Sequence, residues 1–254
     1  MSKGETPIAE APEGILKTKL ALACRILGTE GQDDLDLGHV SVRIPGHPER
    51  MWMKGKGLCL SEIHAEDLVT LDFNYRKLAG ARAVHGELPI HVEIYRTRPD
   101  VNCVIHTHPL YATAFAATRQ PLPAVNNEAV LFAAPLPYFD ASTDLIVKPE
   151  QGRLLAETLG DAKAVFMKNH GIVVVGESIE QAVARAYLLE KTIKTLFIAK
   201  AFGEPAGTDA AEAALKEDHI FGGDRIQSIW ETLVRMLEQR EKPLRLLEEL
   251  LRKG

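Results

Sequence analysis

The run Val104-Ile105-His106-Thr107-His108-Pro109 sets the tightest constraint on how this chain can fold. Apolar residues following Asn102-Cys103 read as the end of a buried strand, and Pro109 suits the first position of a helix. A strand therefore hands over to a helix at two histidines. His106 and His108 are two apart, so in extended backbone they face the same way and can hold one metal ion together. Two ligands do not complete a site. The candidate partners are His170, in Lys168-Asn169-His170-Gly171 between two apolar strands, and Glu87, in His85-Gly86-Glu87 at the start of the preceding helix. Each has a plainer reading as well. A lone histidine is commonly a hydrogen-bonded structural residue, and a glutamate in a first turn complements the helix dipole. Taken together, three neutral imidazoles and a carboxylate at strand ends make an open divalent site.

With 254 residues and 46% hydrophobic content the chain can bury a sizeable core, in one domain with a C-terminal appendage. The net charge of −5 comes from interspersed acids and bases, which leaves no nucleic-acid footprint. Stretches such as Ile172 to Val175 and Ala129 to Leu136 are too short to span a bilayer, so no membrane partner is expected. Residues 1–13 read as a polar arm without the apolar stretch of a signal peptide. Cys24, Cys59 and Cys103 have no pairing or zinc-cage spacing and sit in apolar surroundings. They point to buried thiols and a reducing cytoplasm.

Along the chain, Ile15, Leu16, Leu20, Ala23, Ile26 and Leu27 recur at helical spacing, in a helix from Pro12 that closes at Gly28. Three short strands follow, over Asp36 to Gly46, Met51 to Met53 and Leu68 to Phe73, whose close succession predicts antiparallel pairing. The loop Lys54-Gly55-Lys56-Gly57 has two readings, an anion cradle of free backbone amides or a tight turn with solvated lysines. From Glu87 to Arg98 a helix is expected, with Glu87 and His91 four apart on one face. Leu110 to Thr118 reads as a helix, Pro121 to Pro137 as loop and short strand, and Gln151 to Leu159 as a helix. Ala164 to Met167 and Ile172 to Gly176 form a hairpin with His170 at its bend. The next helix, Ser178 to Phe202, opens with a Ser178-to-Gln181 cap and is expected to be the longest. A linker-like alanine-rich stretch follows Gly203. Ile226, Ile229, Trp230, Leu233 and Leu237 then form one helical stripe, and Leu244, Leu247 and Leu251 a second helix after Pro243. These tail helices pack either on the chain's own core or on a neighbouring subunit.

In order and spacing, Gly38-His39-Val40-Ser41-Val42-Arg43, the Lys-Gly-Lys-Gly turn, Gly86-Glu87, Arg98-Pro99-Asp100-Val101, His106-Thr107-His108-Pro109 and Asn169-His170-Gly171 resemble the class II aldolase/adducin family. The resemblance spans about residues 14–203, leaving 204–254 as linker and C-terminal helices at a subunit interface. It implies a three-layer α/β/α fold on a mostly antiparallel sheet, and a homo-tetramer or other homo-oligomer with active sites between subunits. It also implies His106, His108 and His170 as ligands of one divalent ion (manganese, iron, cobalt or zinc), with Glu87 as the acid/base. Where sugar-phosphate aldolases of the family hold phosphate with small polar side chains, this chain has His39, Lys56-Gly57 and His85-Gly86. Where they borrow a tyrosine from the neighbouring subunit, it reads Val125-Asn126-Asn127-Glu128.

These departures resemble the branch that decarboxylates hydroxylated aromatic acids such as 3,4-dihydroxyphthalate. The expectation is a lyase acting on a small aromatic carboxylate, without pyridoxal, thiamine or flavin. Glu87, or a relay through His85, delivers the proton. His39, Lys56, Gly57 and Arg43 hold a second carboxylate, and Trp52 or Tyr111 hold the ring face. The rival readings are a metal-dependent aldolase or epimerase on a small sugar or hydroxy acid, and a non-enzymatic scaffold resembling the adducin head.

Overall fold

The computed structural model describes residues 13–253, with side chains through residue 243. The expected arm therefore lies outside the described residues, except for Glu13, which opens α1 (Glu13–Leu27). Among the described residues eight strands form one sheet: β1 (His39–Ile44), β2 (His47–Lys54), β3 (Leu68–Asp72), β4 (Lys77–Ala79), β5 (Cys103–Thr107), β6 (Tyr138–Phe139), β7 (Ala164–Met167) and β8 (Gly171–Gly176). Their order is β4-β3-β2-β1-β5-β8-β7-β6, antiparallel at every neighbouring pair except β6 with β7. The helices are α2 (Leu88–Thr97), α3 (Leu110–Ala116), α4 (Pro149–Leu159), α5 (Ile179–Lys200), α6 (Ala210–Phe221) and α7 (Arg225–Lys253).

Period-two alternation divides the core into two layers of packing. Val40, Val42, Ile105, Ile172 and Val174 face one way, against α1, α5 and α7. Val104, Val165, Val173 and Val175 face the other way, against α2 and α4. A three-layer α/β/α architecture results, as expected. Register then decides what meets at the sheet's end: His39 stands opposite His106 across β1 and β5, while Val173 of β8 flanks His106 on the other side.

Several local expectations are corrected. Gly28 does not close α1, because the chain winds on through Gly28–Gln32 and takes its left-handed residue at Gly31 (φ +84°). Between Pro121 and Pro137 the ordered element is a 3₁₀ turn, Glu128–Phe132, and the short strand is β6 just beyond it. The alanine-rich stretch contains α6, capped by Asp209, whose carboxylate accepts from the amides of Ala211 and Glu212 at 3.0 Å each. Alanine is the strongest helix former, which outweighs the linker reading. Helix α7, with 29 residues, exceeds the 22 of α5 and runs through Pro243, so one helix stands where two were expected. The side chains of Leu244, Leu247 and Leu251 lie outside the described residues.

The stripe on α7 is covered by this same chain: Trp230, Leu233 and Leu237 are buried in the α5-side core. Trp52 is buried in that core with the Lys17 ammonium over its ring, and the Tyr111 ring packs on Phe197. Cys24 and Cys103 are buried free thiols, whereas Cys59 is half-buried on a loop. No described helix is long and apolar enough to cross a membrane.

Candidate metal centre

His106, the penultimate residue of β5, His108, just beyond it, and His170, at the β7–β8 bend, bring their ring nitrogens within 4.8 Å of one another. Outer partners set the tautomers. His106 Nδ1 lies 3.0 Å from the Ile172 carbonyl, and His108 Nδ1 lies 2.8 Å from Asp34 Oδ2. Each Nδ1–H donates to an oxygen, which leaves both Nε2 lone pairs free. Those two Nε2 atoms are 3.0 Å apart. His170 Nε2 is buried without a hydrogen-bond partner. Facing lone pairs and a buried unpaired nitrogen are costly unless an electrophile sits among them, so the donor set fits a divalent ion. Thr107, pointing the opposite way, anchors the segment by donating to Gln32 Oε1 at 2.8 Å. Glycine follows His170 because a Cβ on Gly171 would meet His108 Cδ2 and the Thr107 carbonyl at 2.5 Å each.

Glu87 lies beneath the cluster. Its Oε2 is 3.5 Å from His106 Nε2 and 3.7 Å from His39 Nε2, and its Oε1 is 3.6 Å from His170 Nε2. The Ile146 amide donates to Oε1 at 2.9 Å, so the segment before α4 helps hold the carboxylate. Burial opposes ionisation, but the imidazoles of His106, His170 and His39 outweigh it and keep the carboxyl well below its usual range. Burial pushes His39 well below the ordinary imidazole value, despite Glu87. Burial and then the neighbouring His106 lower His108 to about 4, against the pull of Asp34. The centre therefore sets an ionised Glu87 among imidazoles, of which burial holds His39 and His108 neutral.

The His85 ring packs against His39 at a 50° tilt, with ring centroids 4.8 Å apart. Its Nε2 is 3.4 Å from the Lys54 ammonium, which also donates to the Asp36 carbonyl at 2.9 Å. Burial first, and then the Lys54 charge, lower His85 to about 4. Lys54 is wholly buried, yet among the described residues it has no carboxylate within ion-pair distance. Lys56 is exposed, its amide held by the Ala83 carbonyl, and Gly57 turns at φ +97° in open space. The inward-facing cation of this loop is thus Lys54, in place of the expected Lys56.

Arg43 does not join the pocket. It lies four residues beyond His39 on β1, about 13 Å along the strand, and donates to the carbonyls of Val101, Pro48, Tyr95 and Arg98. Its role there is to clamp the end of α2 to the sheet. The cluster thus unites His106, His108, His170, Glu87, His39 and His85, and adds Lys54, which sequence reasoning had offered in the anion loop, and Asp34 and His91, which it had not placed in a site. His91 alone carried a visible signal, its spacing of four from Glu87. The half-exposed Val147 lies at the rim, 3.6 Å from where a Cβ on Gly86 would stand.

Comparison with known proteins follows the same lines. Residues 18–197 match the family described as class II aldolase and adducin N-terminal domain. The chain is 33% identical over 223 residues to the decarboxylase NovR of Streptomyces niveus, covering 85% of this chain and 83% of that protein. It is 33% identical over 228 residues to a 4-hydroxy-3-prenylphenylpyruvate oxygenase/4-hydroxy-3-prenylbenzoate synthase of Streptomyces roseochromogenus subsp. oscitans, covering 87% and 82%. With 3,4-dihydroxyphthalate decarboxylase of Arthrobacter keyseri it shares 30% over 223 residues, covering 83% and 89%. Among solved structures, L-fuculose 1-phosphate aldolase from Glaciozyma antarctica PI12 superposes with a TM-score of 0.82 at 25% identity, covering 95% and 96%.

Proposed function

The chain belongs to the class II aldolase and adducin family, and from that premise we propose that it is a lyase that removes CO₂ from a hydroxylated aromatic carboxylic acid, needing one divalent ion and no organic cofactor. The observation that carries this reading is the Glu87 carboxylate buried within 3.7 Å of three imidazoles, beside His106 and His108 Nε2 atoms that converge to 3.0 Å. Two relatives named as decarboxylases support the choice of leaving group.

His106, His108 and His170 would hold the ion, which supplies an electrophile for the negative charge that develops as the carbon–carbon bond breaks. Glu87 takes the proton of the substrate hydroxyl and returns it to the ring carbon that bears the carboxylate. That carbon becomes tetrahedral and the ring carries a ketone beside it. The carboxylate then leaves as CO₂, its bonding pair re-forming the aromatic ring as a phenolate, which water protonates. One proton is consumed and Glu87 ends as it began. His85 Nε2 faces the Lys54 ammonium at 3.4 Å, so it suits orientation better than proton delivery. Lys54 replaces Lys56 as the proposed donor to a second carboxylate, since a buried ammonium without an acidic partner is completed by an anion. Val147 offers an apolar contact for the ring. Phe197, Ile198 and Phe202 leave an exposed apolar face at the end of α5 that fits a homo-oligomer.

The test incubates metal-loaded protein with 3,4-dihydroxyphthalate and with hydroxypyridine dicarboxylates, in air and under argon, beside sugar phosphates. CO₂ release independent of oxygen is expected. Aldehyde release from a sugar phosphate without CO₂ would shift the assignment to the aldolase, and CO₂ release only in air to oxidative cleavage.

A further inference from the structure

The proposed reaction leaves a buried polar chain unused. His39 Nδ1 is 2.7 Å from His91 Nε2, His91 Nδ1 is 2.7 Å from Ser41 Oγ, and Ser41 Oγ is 2.8 Å from the Tyr95 hydroxyl. All four residues are at most 2% exposed. Two periodicities build the chain: His39 and Ser41 alternate on one face of β1, while His91 and Tyr95 follow Glu87 at intervals of four on α2. The Asn102 carbonyl stands 3.4 Å from the Tyr95 hydroxyl.

A neutral imidazole carries one proton, so the chain has only two polarities. Run outward from His39, it would point the Nε2 lone pair at the ionised Glu87 and leave Tyr95 donating across 3.4 Å. Run inward, Tyr95 donates to Ser41, Ser41 to His91 Nδ1, and His91 Nε2–H to His39 Nδ1. Each of those bonds is 2.7 or 2.8 Å, and the remaining proton sits on His39 Nε2, facing Glu87. The inward polarity is the favourable one, because it turns an N–H rather than a lone pair toward the ionised Glu87, 3.7 Å away.

We propose that His91, Ser41 and Tyr95 are positioning residues that lock His39 in its Nε2–H tautomer, turning a neutral N–H toward Glu87 and toward a substrate oxygen beside it, to which it donates. The ligand group it favours is an oxygen that only accepts, a carboxylate or an ionised hydroxyl. The substrate half of this statement rests on the function proposed above, but the tautomer does not.

Long-range ¹H–¹⁵N correlation spectra of ¹⁵N-histidine protein, metal-free and zinc-loaded, test the idea, with His39→Gln and His91→Gln serving for assignment. His39 and His91 should both appear protonated at Nε2. Ser41→Ala removes the donor to His91 and should move His39 to the Nδ1–H form. The same variant should lose about tenfold or more in kcat, with metal content and KM held, and Ser41→Thr should restore both readouts. An Nδ1–H His39 in the native protein overturns the proposal. So does a Ser41→Ala protein that keeps tautomer and kcat, or that loses metal along with kcat. If native enzyme releases CO₂ from no hydroxy-aromatic acid, the spectra still decide the tautomer and only the reaction assignment falls.

Discussion

The two faces of β1 are equally buried and chemically opposite. Val40, Val42 and Ile44 enter the apolar core against α1 and α5, whereas His39 and Ser41 turn toward α2. The first face is held by transfer of apolar area from water, a non-directional force that tolerates exchange of similar shapes. The second is held by directional bonds, in which one missing partner leaves a desolvated polar group costing roughly 1–3 kcal/mol. A protein that needs an ionised carboxylate in its interior has to assemble such a face. Glu87, His91 and Tyr95 supply it at successive helical turns.

Breaking the polar side at its ligands should have the largest effect. His106→Ala is expected to strip metal and turnover together, by more than the roughly 10–100-fold that loss of an outer partner of a ligand produces. Metal analysis alongside initial rates checks this, and full occupancy in the variant would remove His106 from the ligand set. Glu87→Gln should keep the metal and KM yet lose about 10²–10⁴ in kcat. Normal turnover would hand the proton step to another group.

The faces also differ in their response to acid. His91 is held neutral by burial, with its value lowered to about 3. Below about 6.5 the unfolded chain takes up a proton that the folded chain refuses. Stability should therefore be full above that pH and fall as pH drops toward 3, by up to about 1.4 kcal/mol per unit for this residue. Urea midpoints at several pH values report the slope, and a flat profile would contradict it. Lys54→Met is expected to raise KM for a dicarboxylate by about 10–100-fold, from roughly 1.5–3 kcal/mol in a charged hydrogen bond. A monocarboxylate should show little change, and equal effects on both would return Lys54 to a purely structural role. On the apolar face, Ile105→Val should cost about 0.5–1.5 kcal/mol in denaturant unfolding while leaving kcat unchanged. A clear loss of kcat there would show that the two faces are coupled.

Much of the site was legible from local pattern. Residue parity put His106 and His108 on one side, the hairpin put His170 at a bend, and helical spacing put His91 under Glu87, because period two and period 3.6 are properties of the backbone itself. Local pattern did not separate the two lysines of the Lys54-Gly55-Lys56 loop. A Cβ on Gly55 would fall 2.3 Å from Arg82 Cβ, so close packing bends the chain there, turning one lysine in and leaving the other exposed. Arg43 was misplaced, and the cover of the α7 stripe left open, for a related reason, since periodicity names the face a side chain shares but not what will cover it.

The sequence by itself determined the candidate ligand types and the face on which each falls, because these follow from backbone periodicity and side-chain chemistry, and resemblance to the family added the layer architecture. Only the tertiary structure decided that Nε2 atoms of His106 and His108 stand 3.0 Å apart, that Glu87 lies within 3.7 Å of three imidazoles, and that Asp34 orients His108 from 74 residues away. Those separations depend on the β1–β5 register and on how α2 seats over the sheet. Both are set by the packing of two cores that no short stretch of chain contains.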